Sequence, residues 1–297
     1  QDKALCLEAA KSAQACLEYI EAHDTGRRFT QGTMEDYRGI FILPTTTFCH
    51  EEYLWWDRRA PSKDDQANTL RKYWIWADCD TFTGIDAACC AMPTANIVAY
   101  YERKGLDGYY YPITDSRSGY VEGEWSSMQD RDPRFYNNLL LPGTEWGVKT
   151  SNNRTKPYYI TSWVGGAGYN NFRNNNFSKA REFTGWLARK YTWAECSPWQ
   201  FPSDKNLGYY TQRVKSFYIR VTEMYLDYAE ALFEATGDAN TKPDNSYKWT
   251  PAEAINIVRA RVGVTPLTAD YTTAAAFRES YRRERTAVSY THLTLPT

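Results

Sequence analysis

Aromatic and amide side chains are concentrated in an irregular, glycine-containing part of the sequence. The 297 residues include 24 Tyr, 12 Phe and 11 Trp, more than a core of this size needs, so many rings must lie near the surface. Flat amphipathic rings at a surface suit sugar rings, protein interfaces or peptides. Two groups of candidate binding residues follow from their placement in this region: Tyr120, Trp125 and Trp146, and Trp163, Tyr169, Asn170, Asn171 and Arg173.

Carboxylates in the same region are the strongest candidates for catalytic residues in the sequence. The cluster comprises Glu122, Glu124, Asp130 and Asp132. Two carboxylates at a suitable separation can hydrolyse a glycosidic bond, but closeness in sequence does not supply that geometry. Acidic residues number 36 of 297, so such clusters arise by chance. A carboxylate-dependent glycoside hydrolase remains an alternative to a binding protein.

Other catalytic and metal-binding patterns are not found in the sequence. Only His23 and His50 lie outside the C-terminal tail, and neither a Gly-x-Ser-x-Gly motif nor a glycine-rich phosphate loop before a helix is present. The seven Cys are odd in number and lack metal-ligand spacing, which favours small buried apolar side chains over a disulfide framework. We therefore expect no catalytic residue, no metal and no cofactor.

Charge and hydropathy argue against a nucleic-acid-binding protein and against a membrane-spanning segment. The 35 basic and 36 acidic residues leave a formal net charge of -1, and no Lys/Arg run suits a phosphate backbone, so we expect no nucleic-acid partner. No stretch of about 18 apolar residues is present that could span a bilayer. The chain starts at Gln1 and shows no basic and apolar leader peptide. Because it also lacks an initiator Met, the absence of a leader peptide is consistent with its removal.

Apolar periodicity predicts the elements that hold these loops. From Ala4 to Ile20, small and apolar residues recur at three- and four-residue steps, which indicates an amphipathic helix. From Gly105 to about Lys215, the chain is rich in Gly, Asn, Ser, Pro and aromatic residues with little sustained period. We predict long ordered loops there, with short helices and strands, and loops of this length are usually functional.

Three further helices are predicted after this region. The segment YIRVTEMYLDYAEALFEATGD has helical apolar spacing and ends at Gly237, a left-handed C-terminal cap. TPAEAINIVRARVG begins with Thr250 as N-cap, has Glu253 in position for a capping box and ends at Gly263. A third helix starts near Thr273. The first two form an antiparallel pair of the tetratricopeptide type, which leaves a helical-repeat adaptor for a protein partner as another alternative.

Several large side chains are expected to have structural roles. The almost continuously apolar surroundings of four Trp residues favour a place in the core over the alternative that they line the same binding surface: Trp55, Trp56, Trp74 and Trp76. Tyr225, Tyr228 and Phe233 are predicted core residues because of their helical spacing. Arg259 and Arg261 are predicted to pack helices or form ion pairs. Asp132, Pro133 and Arg134 are predicted to fix a turn, since Asp before Pro favours a bend.

Five blocks of sequence resemble one known family. The run IRVTEMYLDYAEALFEATGD, followed by AINIVRARVG and RRER, resembles the C-terminal half of the SusD/RagB family, the surface glycan-binding lipoproteins of starch-utilisation-type systems. Upstream, PTANIVAYYERKG (Pro93 to Gly105) looks like the family's Pro-Thr block, and RDPRFYNNLLLPGTEW (Arg131 to Trp146) looks like its Arg-Asp-Pro-Arg block. The resemblance covers roughly Ala4 to Thr286.

The resemblance implies both a fold and a function. The implied fold is mainly α, with tetratricopeptide-like helix pairs and long, irregular, aromatic-rich loops. The implied function is non-catalytic binding of a polysaccharide or oligosaccharide at the bacterial outer-membrane surface, with delivery to a TonB-dependent SusC-like transporter. Within it, the two groups of loop residues become glycan contacts. The intact protein would be a surface-exposed lipoprotein, held by a lipid anchor that is missing here.

The chain departs from the family pattern at both ends. Family members are considerably longer at the N-terminus, so this sequence looks truncated there. After the Glu-Arg pair, the family continues with a helix of the type Glu-Leu-Ala-Phe-Glu-Gly, whereas this chain reads AVSYTHLTLPT. We expect residues 1–286 to form one SusD/RagB-like domain, truncated at both ends, and residues 287–297 to be a non-native tail, a translated sequencing adapter.

Overall fold

A computed structural model of the chain describes residues 2–23, 26–29, 33–41, 43–44, 49–56, 93–151, 154–160, 163, 186–190, 212–213 and 217–289. It confirms the predicted mainly α fold. In these ranges the helices are α1 (Lys3–His23), α2 (Met34–Gly39), α3 (Ala95–Tyr100), α4 (Pro133–Asn138), α5 (Val221–Thr236), α6 (Pro251–Arg261) and α7 (Phe277–Ser289). Single 3-10 turns span Ser116–Ser118, Trp125–Met128 and Ala269–Tyr271.

The strands are short and pair two by two, always antiparallel. They are β1 (Leu43–Pro44), β2 (Tyr53–Trp56), β3 (Arg103–Lys104), β4 (Tyr110–Tyr111), β5 (Leu139–Leu140), β6 (Glu145–Ser151), β7 (Arg154–Tyr159), β8 (Leu187–Ala188), β9 (Gln212–Arg213) and β10 (Phe217–Arg220). The pairs are β1 with β9, β2 with β10, β3 with β4, β5 with β8 and β6 with β7. Two-stranded pieces cannot form a core alone, so the described strands serve to position loops against the helices.

The main core lies between α1, α5, α6 and α7. Helix α1 contributes Ala10, Ala13, Leu17 and Ile20, and the predicted core residues Tyr225, Tyr228 and Phe233 of α5 are buried against them and against α6 and α7. Because small side chains of α1 face this core, its backbone approaches α5 closely. The sequence-based prediction of these helices is confirmed.

The predicted helix caps are also confirmed. Gly237 has φ +70° and donates its N–H to the carbonyl of Phe233 at 2.7 Å, which ends α5. At the start of α6, the hydroxyl of Thr250 accepts from the Glu253 N–H at 3.2 Å, and the Glu253 carboxylate accepts from the Thr250 N–H at 2.7 Å. This capping box satisfies two backbone donors that have no partner inside the helix.

Helix α7 begins at Phe277, a few residues after the predicted start near Thr273. Residues 273–276 form a turn in which the Thr273 carbonyl accepts from the N–H of Ala276, at 3.1 Å. At the other end, Ala287, Val288 and Ser289 continue α7 and are buried. Residues 290–297 lie outside the described part, so the assignment of 287–297 as a non-native tail stays a prediction.

A buried ionic network, defined by Glu102, Asp132, Arg134, Arg259 and Glu284, connects loops to helices. Arg134 pairs with Asp132 at 2.6 Å and also with Glu284 of α7. Arg259 of α6 pairs with Glu102 at 2.8 Å and with Glu284 at 3.5 Å. Since all five side chains are almost fully buried, each charge needs the others as partners. The predicted ion-pair role of Arg259 is confirmed.

Asp132 does more than bend the chain before Pro133. It is the N-cap of α4, where its carboxylate accepts from the Arg134 N–H at 2.9 Å, and it receives the Arg134 guanidinium as well. Arg261 likewise forms a buried ion pair, with Glu52, which Arg220 approaches at 3.8 Å. Burial raises the pKa of Glu52, while the two guanidinium groups oppose that rise.

One prediction about the core is wrong. Trp55 is 61% exposed, whereas its neighbour Trp56 is buried as predicted. Apolar neighbours in sequence do not decide burial in a strand, since successive side chains point to opposite faces. Trp74 and Trp76 lie outside the described residues.

The described cysteines and helices bear on two further expectations. Cys6, Cys16 and Cys49 are free thiols and partly buried; the remaining four lie outside the described residues. Among the helices that the structure describes, none has the length and apolar character needed to cross a bilayer.

Candidate functional site

The loops after α3 enclose a polar cleft with a volume of about 810 Å³, which we call the loop cleft. Its walls are the β3–β4 hairpin, the 3-10 turn Ser116–Ser118 and the segment ending at Asp130. The polar side chains that line it belong to Arg103, Lys104, Asp107, Ser116, Arg117, Ser118 and Asp130. The cleft therefore offers donors and acceptors of both charge signs at one place on the surface.

Gly105 allows the hairpin and the 3-10 turn to approach each other. A Cβ atom on this residue would lie 2.6 Å from the carbonyl oxygen of Arg117, closer than any real contact. The hairpin is closed by the Gly105 N–H, which donates to the Tyr109 carbonyl at 2.8 Å. The Asp107 carboxylate accepts from the Tyr109 N–H at 3.1 Å and from the Tyr111 hydroxyl at 2.6 Å. These bonds fix the hairpin tip at the mouth of the cleft.

Arg117 is held between acids and rings. Its guanidinium pairs with Asp115 at 2.6 Å and with Asp270, and it lies 4.2 Å from the centroid of the Tyr111 ring. Hydrogen bonds from Arg117 and Tyr271 hold the pKa of Asp115 well below its usual range, against the effect of burial. Burial and the hydrogen bond to Asp115 raise the pKa of Tyr271 to about 12. The Arg117 charge is thus balanced and its orientation is set.

Arg103 connects two of the loops that form the walls of the loop cleft. Its Nε donates to the Gln129 carbonyl at 3.1 Å and its Nη1 to the Ser118 carbonyl. The Lys104 N–H donates to the carbonyl of Asp130 at 2.7 Å, while the Lys104 side chain is exposed. Two distant loops are therefore fixed to β3, and the Lys104 ammonium stays in reach of a ligand.

Two predicted binding residues lie on the segment between the cleft residues Gly119 and Asp130, although neither of them lines the loop cleft. Tyr120 follows the cleft residues Ser118 and Gly119; its ring is partly buried, with the Arg131 guanidinium 5.6 Å from the ring centroid. Trp125 begins the next 3-10 turn and is 55% exposed. That turn leads directly to Gln129, which Arg103 binds. A large exposed ring therefore lies on the segment that leads to the cleft residue Asp130.

Comparison with known proteins identifies the family. The sequence model of the SusD family matches residues 51–287, most of the chain. The chain belongs to the SusD family. It is similar to the crystal structure of a SusD-like protein from Bacteroides fragilis, with a TM-score of 0.58 and 17% identity over 96% of this chain and 49% of that one. No curated protein matches the sequence.

A second solved SusD-like structure is similar to the same extent. It is a SusD-like carbohydrate-binding protein from Bacteroides fragilis, with a TM-score of 0.56 and 22% identity over 96% of this chain and 47% of that one. At such identities the likeness shows the fold. The chain spans about half the length of these SusD-family relatives.

The other predicted site residues of this SusD-family chain are only partly described. The backbone of Trp146 lies in β6, but its side chain is outside the described structure. Trp163 is 46% exposed, as expected of a surface ring. Tyr169, Asn170, Asn171 and Arg173 lie outside the described residues. The role of this second group in binding stays a prediction.

Sequence reasoning missed the charged residues of the loop cleft. Arg117 lies in the irregular region whose aromatic rings predict the binding residues, and Arg103 and Lys104 lie just before that region. The signal that could have found them is the turn sequence KGLDG, in which Gly105 and Gly108 flank an Asp that can bond its own backbone. What the sequence could not show is that residues 115–119 fold back onto this turn.

The carboxylate cluster of the SusD-family chain is divided by the structure. Asp132 is buried with Arg134, which occupies both of its oxygens, so it faces no ligand. Glu122 and Glu124 are exposed, and Asp130 lies at the loop cleft. Within the described ranges, no group of His, Cys, Asp and Glu is arranged to hold a metal ion.

Proposed function

We propose that this chain is part of a non-catalytic glycan-binding protein. It captures a polysaccharide or oligosaccharide at the bacterial outer-membrane surface and passes it to a TonB-dependent SusC-like transporter. Membership of the SusD family supports this function, as does the similarity to a solved relative that is itself described as carbohydrate-binding. The observation that carries it is the loop cleft with its polar side chains, together with the exposed Trp125 on the segment that leads to the cleft residue Asp130.

Capture at this site needs no covalent step. The apolar C–H face of a sugar stacks on the Trp125 ring, while hydroxyl groups exchange hydrogen bonds with side chains of the loop cleft, such as Lys104 and Asp107. Each contact is modest, and their sum selects the glycan. Arg117 is already paired with Asp115 and Asp270, so the charges around the cleft are nearly balanced. We therefore expect a neutral glycan.

The proposed location follows from the proposed role. A protein that feeds an outer-membrane transporter must present its loops to polysaccharides outside the cell, which suits a surface lipoprotein. In that arrangement the loop cleft faces the medium, and the helical part of the fold holds it in place. Reduced uptake of the bound glycan in cells that lack the protein would support this step.

Native gel electrophoresis through embedded neutral and acidic polysaccharides tests the function. We expect retardation by a neutral glycan, without release of reducing sugar in the same mixtures. Trp125→Ala should weaken the binding on the order of fivefold, because one stacked ring is lost. Tyr19→Ala is the matched control: Tyr19 is equally exposed on α1, where it stacks on His23, and its loss should leave binding unchanged.

Three results would contradict the proposal. Release of reducing ends would indicate a hydrolase, with Glu122, Glu124 and Asp130 as the carboxylates to substitute. Equal binding by Trp125→Ala and the unsubstituted chain would exclude Trp125 as a glycan contact. No retardation by any glycan would contradict the function itself.

A further inference from the structure

A pair of exposed rings lies on the sheet formed by β2 and β10. Trp55 of β2 is 61% exposed and Tyr218 of β10 is 56% exposed. Their ring centroids are 5.0 Å apart, with an angle of 49° between the ring planes. We call these two residues the aromatic pair. They are in contact with each other, so they form one surface rather than two isolated side chains.

The sheet aims this pair outward. Phe217 lies opposite Trp56 and Ile219 lies opposite Trp55, so Tyr218 is an extra residue in β10. An extra residue of this kind is a β-bulge, which redirects a side chain and is common next to binding sites. Phe217 and Trp56 themselves are buried beneath the sheet. The core is therefore complete without the aromatic pair.

The size of the aromatic pair indicates what it can bind. With somewhat more than half of each ring exposed, the two rings present roughly 200–300 Å². A stable protein interface takes about 800 Å² from each partner. The buried neighbours Phe217, Trp56 and Tyr53 add no charge and little area to this surface. Among the described residues, the aromatic pair therefore offers a surface whose extent matches one or two sugar rings.

We propose that Trp55 and Tyr218 form a second carbohydrate-binding site, outside the loop cleft, for a neutral pyranose unit of a polysaccharide. The C–H face of the sugar stacks on the rings, and the Tyr218 hydroxyl exchanges a hydrogen bond with a sugar hydroxyl. Neither residue lines the loop cleft. The inference rests on the proposed glycan-binding function, since it assigns a second contact with the same polymer.

A second contact on one polymer has a thermodynamic consequence. Once the loop cleft holds the polysaccharide, binding at the aromatic pair is intramolecular, so a weak stacking site adds disproportionately to the retention of a long chain. Both sites then contribute to retardation in a gel that contains polysaccharide, and each can be removed independently of the other.

Affinity electrophoresis of the 297-residue chain and four variants tests the site. The variants are Trp55→Ala, Tyr218→Ala, Trp125→Ala and the control Tyr19→Ala. We expect Trp55→Ala and Tyr218→Ala each to weaken retention on the order of fivefold. Since both rings lie outside the core, their removal should leave the melting temperature nearly unchanged. Tyr218→Phe keeps the ring and should keep most of the binding.

The outcomes separate this inference from the proposed function. Loss of binding in both Trp55→Ala and Tyr218→Ala, with Tyr19→Ala unaffected, supports the second site whatever Trp125→Ala does. Weaker binding by Trp125→Ala alone would overturn the second site and leave the function intact. An equal loss in Tyr218→Phe and Tyr218→Ala would overturn the stacking mechanism. No glycan binding by the unsubstituted chain would overturn both proposals.

Discussion

His50 shows how one side chain can make stability depend on pH. It is largely buried, and its Nδ1 accepts from the Glu52 N–H at 3.1 Å, which requires an unprotonated nitrogen. Burial and the positive charge of Arg261 lower the pKa of His50 to about 4. The unfolded chain has the ordinary histidine pKa of about 6.5. The neutral ring is therefore part of the folded state.

We predict that stability falls between pH 6.5 and pH 4 because of this residue. In that window the unfolded chain binds a proton at His50 and the folded chain does not, so the free energy of unfolding decreases as the pH falls, by up to about 3 kcal/mol. His50→Asn keeps an acceptor but cannot titrate. Urea unfolding across this range should show a flatter pH dependence for His50→Asn; parallel curves for the two proteins would contradict the assignment.

The β3–β4 hairpin is an element whose position depends on contact with another loop. Its shape is set by local bonds, but its place beside the 3-10 turn Ser116–Ser118 depends on the close approach of Gly105 to the carbonyl of Arg117. The 3-10 turn on the other side is fixed in turn by Asp115 and by its contact with Asp270. The loop cleft therefore exists only while two separate loops stay in contact.

We predict that Gly105→Ala opens the loop cleft. The new Cβ would lie 2.6 Å from a backbone oxygen, so the hairpin must move away, at a cost of about 1–3 kcal/mol. Glycan affinity should fall several-fold, and the melting temperature should decrease. Gly39→Ala is the control, since a Cβ there meets no atom within 4 Å. If both variants bind glycan like the unsubstituted chain, the hairpin does not shape the site.

The buried ionic network connects segments that lie far apart in the described part of the chain. Arg134 lies at the start of α4, Glu284 in α7, Arg259 in α6, and Glu102 just before β3. The segment that carries the loop cleft is thus connected to the helical core through charges without access to water. The blocks that resemble the family at these positions have a structural role, while the proposed binding surface lies on the loops beside them.

We predict that Arg134→Met destabilises the whole chain by about 3–5 kcal/mol, because Asp132 and Glu284 are left buried without their shared partner. Arg278→Met is the matched control. Arg278 also donates through two nitrogens to a carboxylate, that of Glu234, but it is half-exposed, and we expect a much smaller loss than for Arg134→Met. Urea unfolding measures both. Similar losses in the two variants would show that burial does not decide the strength of these pairs.

The sequence by itself determined helices α1, α5 and α6 and the caps of α5 and α6. The capping box of Thr250 and Glu253 and the cap at Gly237 each involve residues a few positions apart, so local spacing is enough to predict them. The apolar faces of α1 and α5 follow from periodicity for the same reason. The choice of Trp125 as a surface ring also rested on local composition, and the structure exposes it.

Only the tertiary structure decided where the candidate glycan-binding surfaces lie. Trp55 has apolar neighbours in sequence, yet it is exposed because β2 pairs with β10, which comes more than 150 residues later. The loop cleft depends on contact between Gly105 and Arg117, and the network on contact between Arg134 and Glu284, which are 150 residues apart. No local pattern encodes these distances, because they arise only when separate segments pack on a common core.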